Sequence, residues 1–105
     1  MIPDRIFNIE MSLIGKWQNE TIGLMFDGNI DGKDYGTVII GDPTLTLHAI
    51  SKYQVFIQDN NPFLRLINDK QGETQIKEWE IAEIDRATGI LRFRPKDAKE
   101  IILHK

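Results

Sequence analysis

The sequence predicts an all-β fold: an antiparallel up-and-down β-barrel of eight or nine short strands behind a short N-terminal helix. Three observations predict it. After Gly15 the apolar residues come in short runs separated by turn-forming clusters, at intervals of roughly ten residues. Ile occurs 17 times against 4 Ala and 2 Val, and a branched β-carbon suits a pleated, half-buried surface better than a helix. Consecutive strands joined by tight turns must be antiparallel neighbours, and closing such a meander removes its adhesive edges. A length of 105 residues allows one domain, so residues 1–105 are read as a single barrel.

The elements follow in order. Ile2, Ile6, Ile9 and Leu13 repeat at the period of an amphipathic helix, and Pro3 suits a first helical turn, so a helix is expected over residues 3–12. Strands are expected at Gly15–Asn19, Ile22–Phe26, Gly36–Ile40, Thr44–Ile50 and Tyr53–Gln58, then at Phe63–Asn68, Thr74–Ile84, Ile90–Arg94 and Glu100–His104. Between them lie Asp27-Gly28-Asn29, Gly41-Asp42-Pro43, Asp59-Asn60-Asn61-Pro62, Lys70-Gln71-Gly72 and Asp85-Arg86-Ala87-Thr88-Gly89. The last reads as a hairpin loop closed by Gly in the left-handed region.

Composition excludes several classes of function. There is no cysteine, which removes disulfides, thiolate metal sites and cysteine nucleophiles together. The formal net charge of -3 argues against a nucleic-acid binder, which carries a basic stripe along the phosphates. No apolar run reaches membrane-spanning length, and Ile2-Pro3-Asp4-Arg5 is not the basic start of a secretion signal. A cytoplasmic protein is expected if Met1 is the true start; Met11 could begin a shorter form. The sequon Asn19-Glu20-Thr21 then has no use.

At Leu13-Ile14-Gly15-Lys16-Trp17 a Gly-x-Trp follows a short helix at the head of the meander. This resembles the lipocalin and fatty-acid-binding-protein superfamily, the calycins. The resemblance implies that Trp17 closes one end of a barrel and that an Arg of a late strand lies across its ring. The matching residue is Arg92 or Arg94, which share one strand face. It also implies a small apolar ligand inside, with Trp17, Phe26, Tyr53, Phe56, Trp79 and Phe93 as lining. The residues themselves point to a filled interior. Ile22, Leu24 and Phe26, Leu45 and Leu47, and Tyr53, Val55 and Ile57 each share a face of a short strand, and an eight-stranded barrel has little room to spare.

Candidate chemistry is thin. Asp27-Gly28-Asn29-Ile30-Asp31-Gly32 resembles the first half of a calcium loop, but the twelfth position is Val38 where a bidentate Glu is needed. His48 and His104 are the only histidines, too few for a zinc site. Ser12 and Ser51 lack a nucleophile elbow, and Glu78 and Glu80 on one strand face read as solvated acids. No catalytic residue, metal or cofactor is expected.

Charge is distributed in blocks. Residues 18–51 carry Glu20, Asp27, Asp31, Asp34 and Asp42 against Lys33, and residues 73–85 carry Glu73, Glu78, Glu80, Glu83 and Asp85 against Lys77. Residues 86–105 reverse the sign, with Arg86, Arg92, Arg94, Lys96, Lys99 and Lys105 against Asp97 and Glu100. Opposite blocks on paired strands can cancel. Otherwise Asp27, Asp31, Asp34, Glu78, Glu80 and Glu83 form an acidic face that steers a basic protein partner. A small acidic domain of this kind resembles bacterial immunity proteins, which implies a non-enzymatic inhibitor of a basic, nuclease-like toxin. The alternative is a carrier or sensor of a small apolar ligand.

Overall fold

The computed structural model describes residues 4–28, 35–70, 72–96 and 98–105. One helix, α1 (Asp4–Leu13), is followed by eight strands. These are β1 (Gly15–Gln18), β2 (Gly23–Asp27), β3 (Gly36–Gly41), β4 (His48–Gln58), β5 (Asn61–Lys70), β6 (Glu73–Asp85), β7 (Ile90–Pro95) and β8 (Ile101–His104). Every strand pairs antiparallel with its neighbour in sequence, and the meander closes into a barrel between β1 and β8. Pro3 lies outside the described residues.

Strand alternation fills the interior. Leu24 and Phe26, Tyr53 and Val55, Leu64 and Leu66, and Leu91 and Phe93 all point inward and are buried. With Trp17, Val38, Ile81 and Leu103 they form one continuous core. The helix lays Ile9 and Leu13 on that core and leaves Phe7 and Met11 exposed, as its apolar stripe dictates.

Eight strands form where nine segments were expected, because the segment Thr44–Ile50 is not a separate strand. Residues 42–47 make a turn organised by Asp42: its carboxylate accepts from the Thr44 hydroxyl at 2.8 Å and the Leu47 amide at 3.1 Å. Leu45 takes a left-handed φ of 59°, and Leu47 is 79% exposed instead of facing the core. β4 then runs unbroken through Ser51 and Lys52. At the next hairpin Asp59 and Asn60 both have positive φ, the signature of a two-residue type I′ turn. Asn61 and Pro62 therefore belong to β5, paired with Gln58 and Ile57. The expected short strands are also longer in the middle of the chain, with 11, 10 and 13 residues in β4, β5 and β6.

A register shift in β6 between Ile81 and Glu83 opposes an extra residue to β7. This bulge changes the parity of the strand. Trp79 and Ile81 face inward before it; after it Ile84 faces the core and Glu83 faces out.

Candidate functional site

The hairpins β2–β3, β4–β5 and β6–β7 and the start of β1 share one end of the barrel, and α1 plugs it. The last carbonyls of a helix have no partner within it and carry the negative end of its dipole. Here one partner is local and two come from far along the chain. The Trp17 indole Nε1 donates to Leu13 O at 2.9 Å, an Arg86 guanidinium nitrogen to Met11 O at 3.0 Å, and Lys105 Nζ to Ile14 O at 3.1 Å. Arg5 at the other end of the helix donates to Asn60 O at 2.9 Å.

Lys105 also sits over Trp17, its Nζ 4.9 Å from the ring centroid, within cation–π range. Burial and the neighbouring Arg86 charge both lower its pKa. The cation on the Trp17 ring is thus Lys105, not Arg92 or Arg94. Those two arginines point outward, where Arg92 meets Glu83 at 2.9 Å and Glu100 at 3.3 Å, and Arg94 lies 3.7 Å from Glu80. Gly15 makes the approach possible: its φ is +116°, and a Cβ there would lie 2.6 Å from Lys105 Nζ.

The predicted acidic residues fall into two groups. Glu78, Glu80 and Glu83 share the outer face of β6, each beside an arginine, with Glu78 accepting from Arg65 Nε at 2.8 Å. Opposite charges on neighbouring strands cancel much of their field. Asp27 lies at the plugged end, exposed, and its carbonyl accepts the Tyr53 hydroxyl at 2.7 Å. The Tyr53 pKa is pushed up to about 12, first by burial and then by the negative charges of Glu10 and Asp27. Asp31 and Asp34 lie outside the described residues, as does most of the calcium-like loop.

The predicted lining residues also divide. Trp17, Phe26, Tyr53 and Phe93 are inside and fully buried, with Phe26 edge-on to Tyr53 at 5.1 Å between centroids. Phe56 is placed outside the barrel: it alternates with Tyr53 and Val55, stacks on Phe63 at 5.4 Å, and carries the Arg65 guanidinium 4.4 Å above its ring. Trp79 sits at the opposite, unplugged end, where a cup of about 120 Å³ is lined by Ile40, Ser51, Leu66, Asn68, Gln75, Lys77 and Trp79. Sequence reading missed its polar rim of Ser51, Asn68, Gln75 and Lys77. The alternation that put Trp79 inward would have put Gln75 and Lys77 there as well.

His48 Nδ1 is 2.8 Å from Leu45 O in the β3–β4 turn, and His104 pairs with Gln18 at the barrel seam. Asn19 is engaged at both ends of its amide, accepting from the Thr21 and Ile22 amides and donating to Ile102 O at 3.1 Å. Among the described residues no group of three or more His, Cys, Asp or Glu could hold a metal ion, and no helix is long and apolar enough to cross a membrane. An eight-stranded closed meander with a helical plug is consistent with a calycin-like barrel. In comparisons with known proteins, no family model, no curated protein and no solved structure matches the chain.

Proposed function

We propose that this protein is a non-enzymatic, cytoplasmic protein-binding module of the immunity type, built on a calycin-like barrel, that neutralises a basic toxin domain through its acidic surface. The observation that carries the reading is the solid interior. Small-molecule sites usually enclose roughly 300–1,000 Å³, whereas here four aromatic side chains are packed in the core and the inward-facing cup beside Trp79 is about 120 Å³. That leaves the outside of the barrel to do the work.

On that outside, Glu78, Glu80 and Glu83 are beside arginines. At the plugged end Glu10 and Asp27 lie close enough to Tyr53 to help raise its pKa, with Arg5, Arg86 and Lys105 bonded to backbone carbonyls at the same end. The docking centre in this reading is Asp27, with Asp31 and Asp34 as further contacts. A basic nuclease domain encoded beside this gene is the partner to test. Its activity should fall on adding the protein, with association that slows as salt is raised. Asp27→Asn should slow association, while Glu80→Gln should not. Inhibition indifferent to salt and to Asp27, or no inhibition of any adjacent basic domain, would overturn the reading.

The cup favours a second reading at smaller scale. A Lys77 ammonium and three polar side chains above Leu66 and Trp79 suit a compact apolar acid. About 120 Å³ equals the liquid volume of roughly four waters. Quenching of Trp79 fluorescence by short carboxylic acids, lost in Lys77→Met, would support a sensor. An unchanged signal would end that reading.

A further inference from the structure

The free edge of the β5–β6 arm leads beyond the partner reading and independently of it. Beyond the end of β7, β6 continues paired with β5, which itself pairs with β4 as far as Ile67; from the Asn68–Gln75 pair outward the two strands run on as a two-stranded arm. β6 pairs with β5 from Glu73 to Glu80, but with β7 only from Trp79 onward. Pairing stops because β7 ends at Pro95, which has no N–H to extend a ladder. Gln75, Ile76, Lys77 and Glu78 thus have β5 on one side and, among the described residues, no strand on the other. Residues 73–78 are exposed on both faces, and Ile76 on the outer face is 58% exposed. A two-stranded ribbon is marginal in water and an open edge is a template for further pairing.

We propose that this edge pairs antiparallel with the same edge of a second copy, in a register centred on Gln75, to give a dimer with a four-stranded sheet across its twofold axis. The sequence of the edge supports this occupant. A twofold axis normal to the sheet keeps outer face against outer face and so sets residues of like parity opposite each other. Centred on Gln75, it sets Glu73 opposite Lys77 of the second copy, twice, and brings the two Ile76 side chains into diagonal contact. Centred on Ile76 it loses both ion pairs; centred on Lys77 it opposes two like charges. An inward-pointing lysine ordinarily guards an edge against pairing. Here Lys77 admits a partner strand that presents an acid at the matching position, and this chain's own Glu73 does so.

The test is the oligomeric state of the full chain by sedimentation velocity, from micromolar to sub-millimolar concentration, with circular dichroism as the control for folding. E73K and K77E should each weaken the dimer by about tenfold or more, through like charges at two contacts. The double variant E73K/K77E should regain it, since the reversed pair is again attractive. Because the chain has no cysteine, Q75C supplies a single thiol at the centre of the register and should form an intermolecular disulfide under mild oxidation. A protein that stays monomeric throughout, a dimer indifferent to both single charge changes, or a Q75C variant that does not cross-link would overturn the proposal.

Discussion

Replacing Tyr53 by Phe removes one oxygen and leaves the ring. The ring is fully buried and keeps its edge-on contact with Phe26, 5.1 Å away, so no cavity opens. What is lost is the 2.7 Å hydrogen bond to Asp27 O. A neutral bond of this kind contributes about 0.5–1.5 kcal/mol net. Because Asp27 is exposed, water can take over its carbonyl, so a cost of about 1 kcal/mol is expected, or about 4–8 °C in Tm for a domain of this size. The second signature lies in pH. Burial, and then the charges of Glu10 and Asp27, raise the Tyr53 pKa from 10.0 to about 12 in the fold. A raised pKa means that the fold prefers the neutral phenol. That contribution is fully present below pH 10 and is lost as the pH rises through about 12. The loss is at most about 3 kcal/mol, and less where water screens the hydroxyl. Urea unfolding of both proteins between pH 7 and pH 12, followed by tryptophan fluorescence, gives the difference directly. Wild type should lose its advantage over the variant across the alkaline window. A variant as stable as wild type at neutral pH, with a parallel alkaline decline, would refute the account of Tyr53.

Three further outcomes test other parts of the fold. Gly36→Ala should destabilise by about 1–3 kcal/mol in chemical denaturation, because the added Cβ would lie 2.5 Å from Tyr53 Cε1 on the neighbouring strand. Glu83→Gln removes a partner of Arg92 at 2.9 Å, yet the pair is half exposed, so the cost should stay below about 1 kcal/mol and shrink in high salt. Leu47→Ser should change the free energy of unfolding by less than about 0.5 kcal/mol in chemical denaturation, since Leu47 is 79% exposed.

The fold was legible where one physical signal acted alone. Alternation in Leu24/Phe26, Tyr53/Val55 and Leu91/Phe93 gave the inward faces, and the helical stripe of Ile6, Ile9 and Leu13 gave the plug. The reading failed where a side chain reorganised the backbone. Leu45 and Leu47 alternate like a strand, but Asp42 collects the hydrogen bonds of a turn between them. The candidate site was legible in its residues and not in its neighbours. Glu78 and Glu80 share a face by parity, and Glu83 joins them only through the bulge after Ile81. That Arg65, Arg92 and Arg94 stand beside them follows from strand register, which a single sequence does not encode locally. Lys105 reaches Trp17 for the same reason: the end of β8 returns to the start of β1 when the barrel closes.

The two ends of the barrel are built differently, and this bears on where recognition sits. The plugged end is tied by hydrogen bonds between residues 55 to 91 positions apart, from Arg5 to Asn60, Arg86 to Met11 and Lys105 to Ile14. The other end holds the small cup and the exposed β5–β6 arm. Charged recognition gains most from groups held in place before the partner arrives, because ordering them at binding costs free energy. Tyr53 supplies that order at Asp27, fixing the backbone at the last residue of β2. If Asp27 is the docking centre, Tyr53→Phe should accelerate partner dissociation more than it slows association, since the charge is kept and only its position is loosened. Asp27→Asn should do the reverse. Equal effects of both variants on the two rates would remove Asp27 from the docking centre.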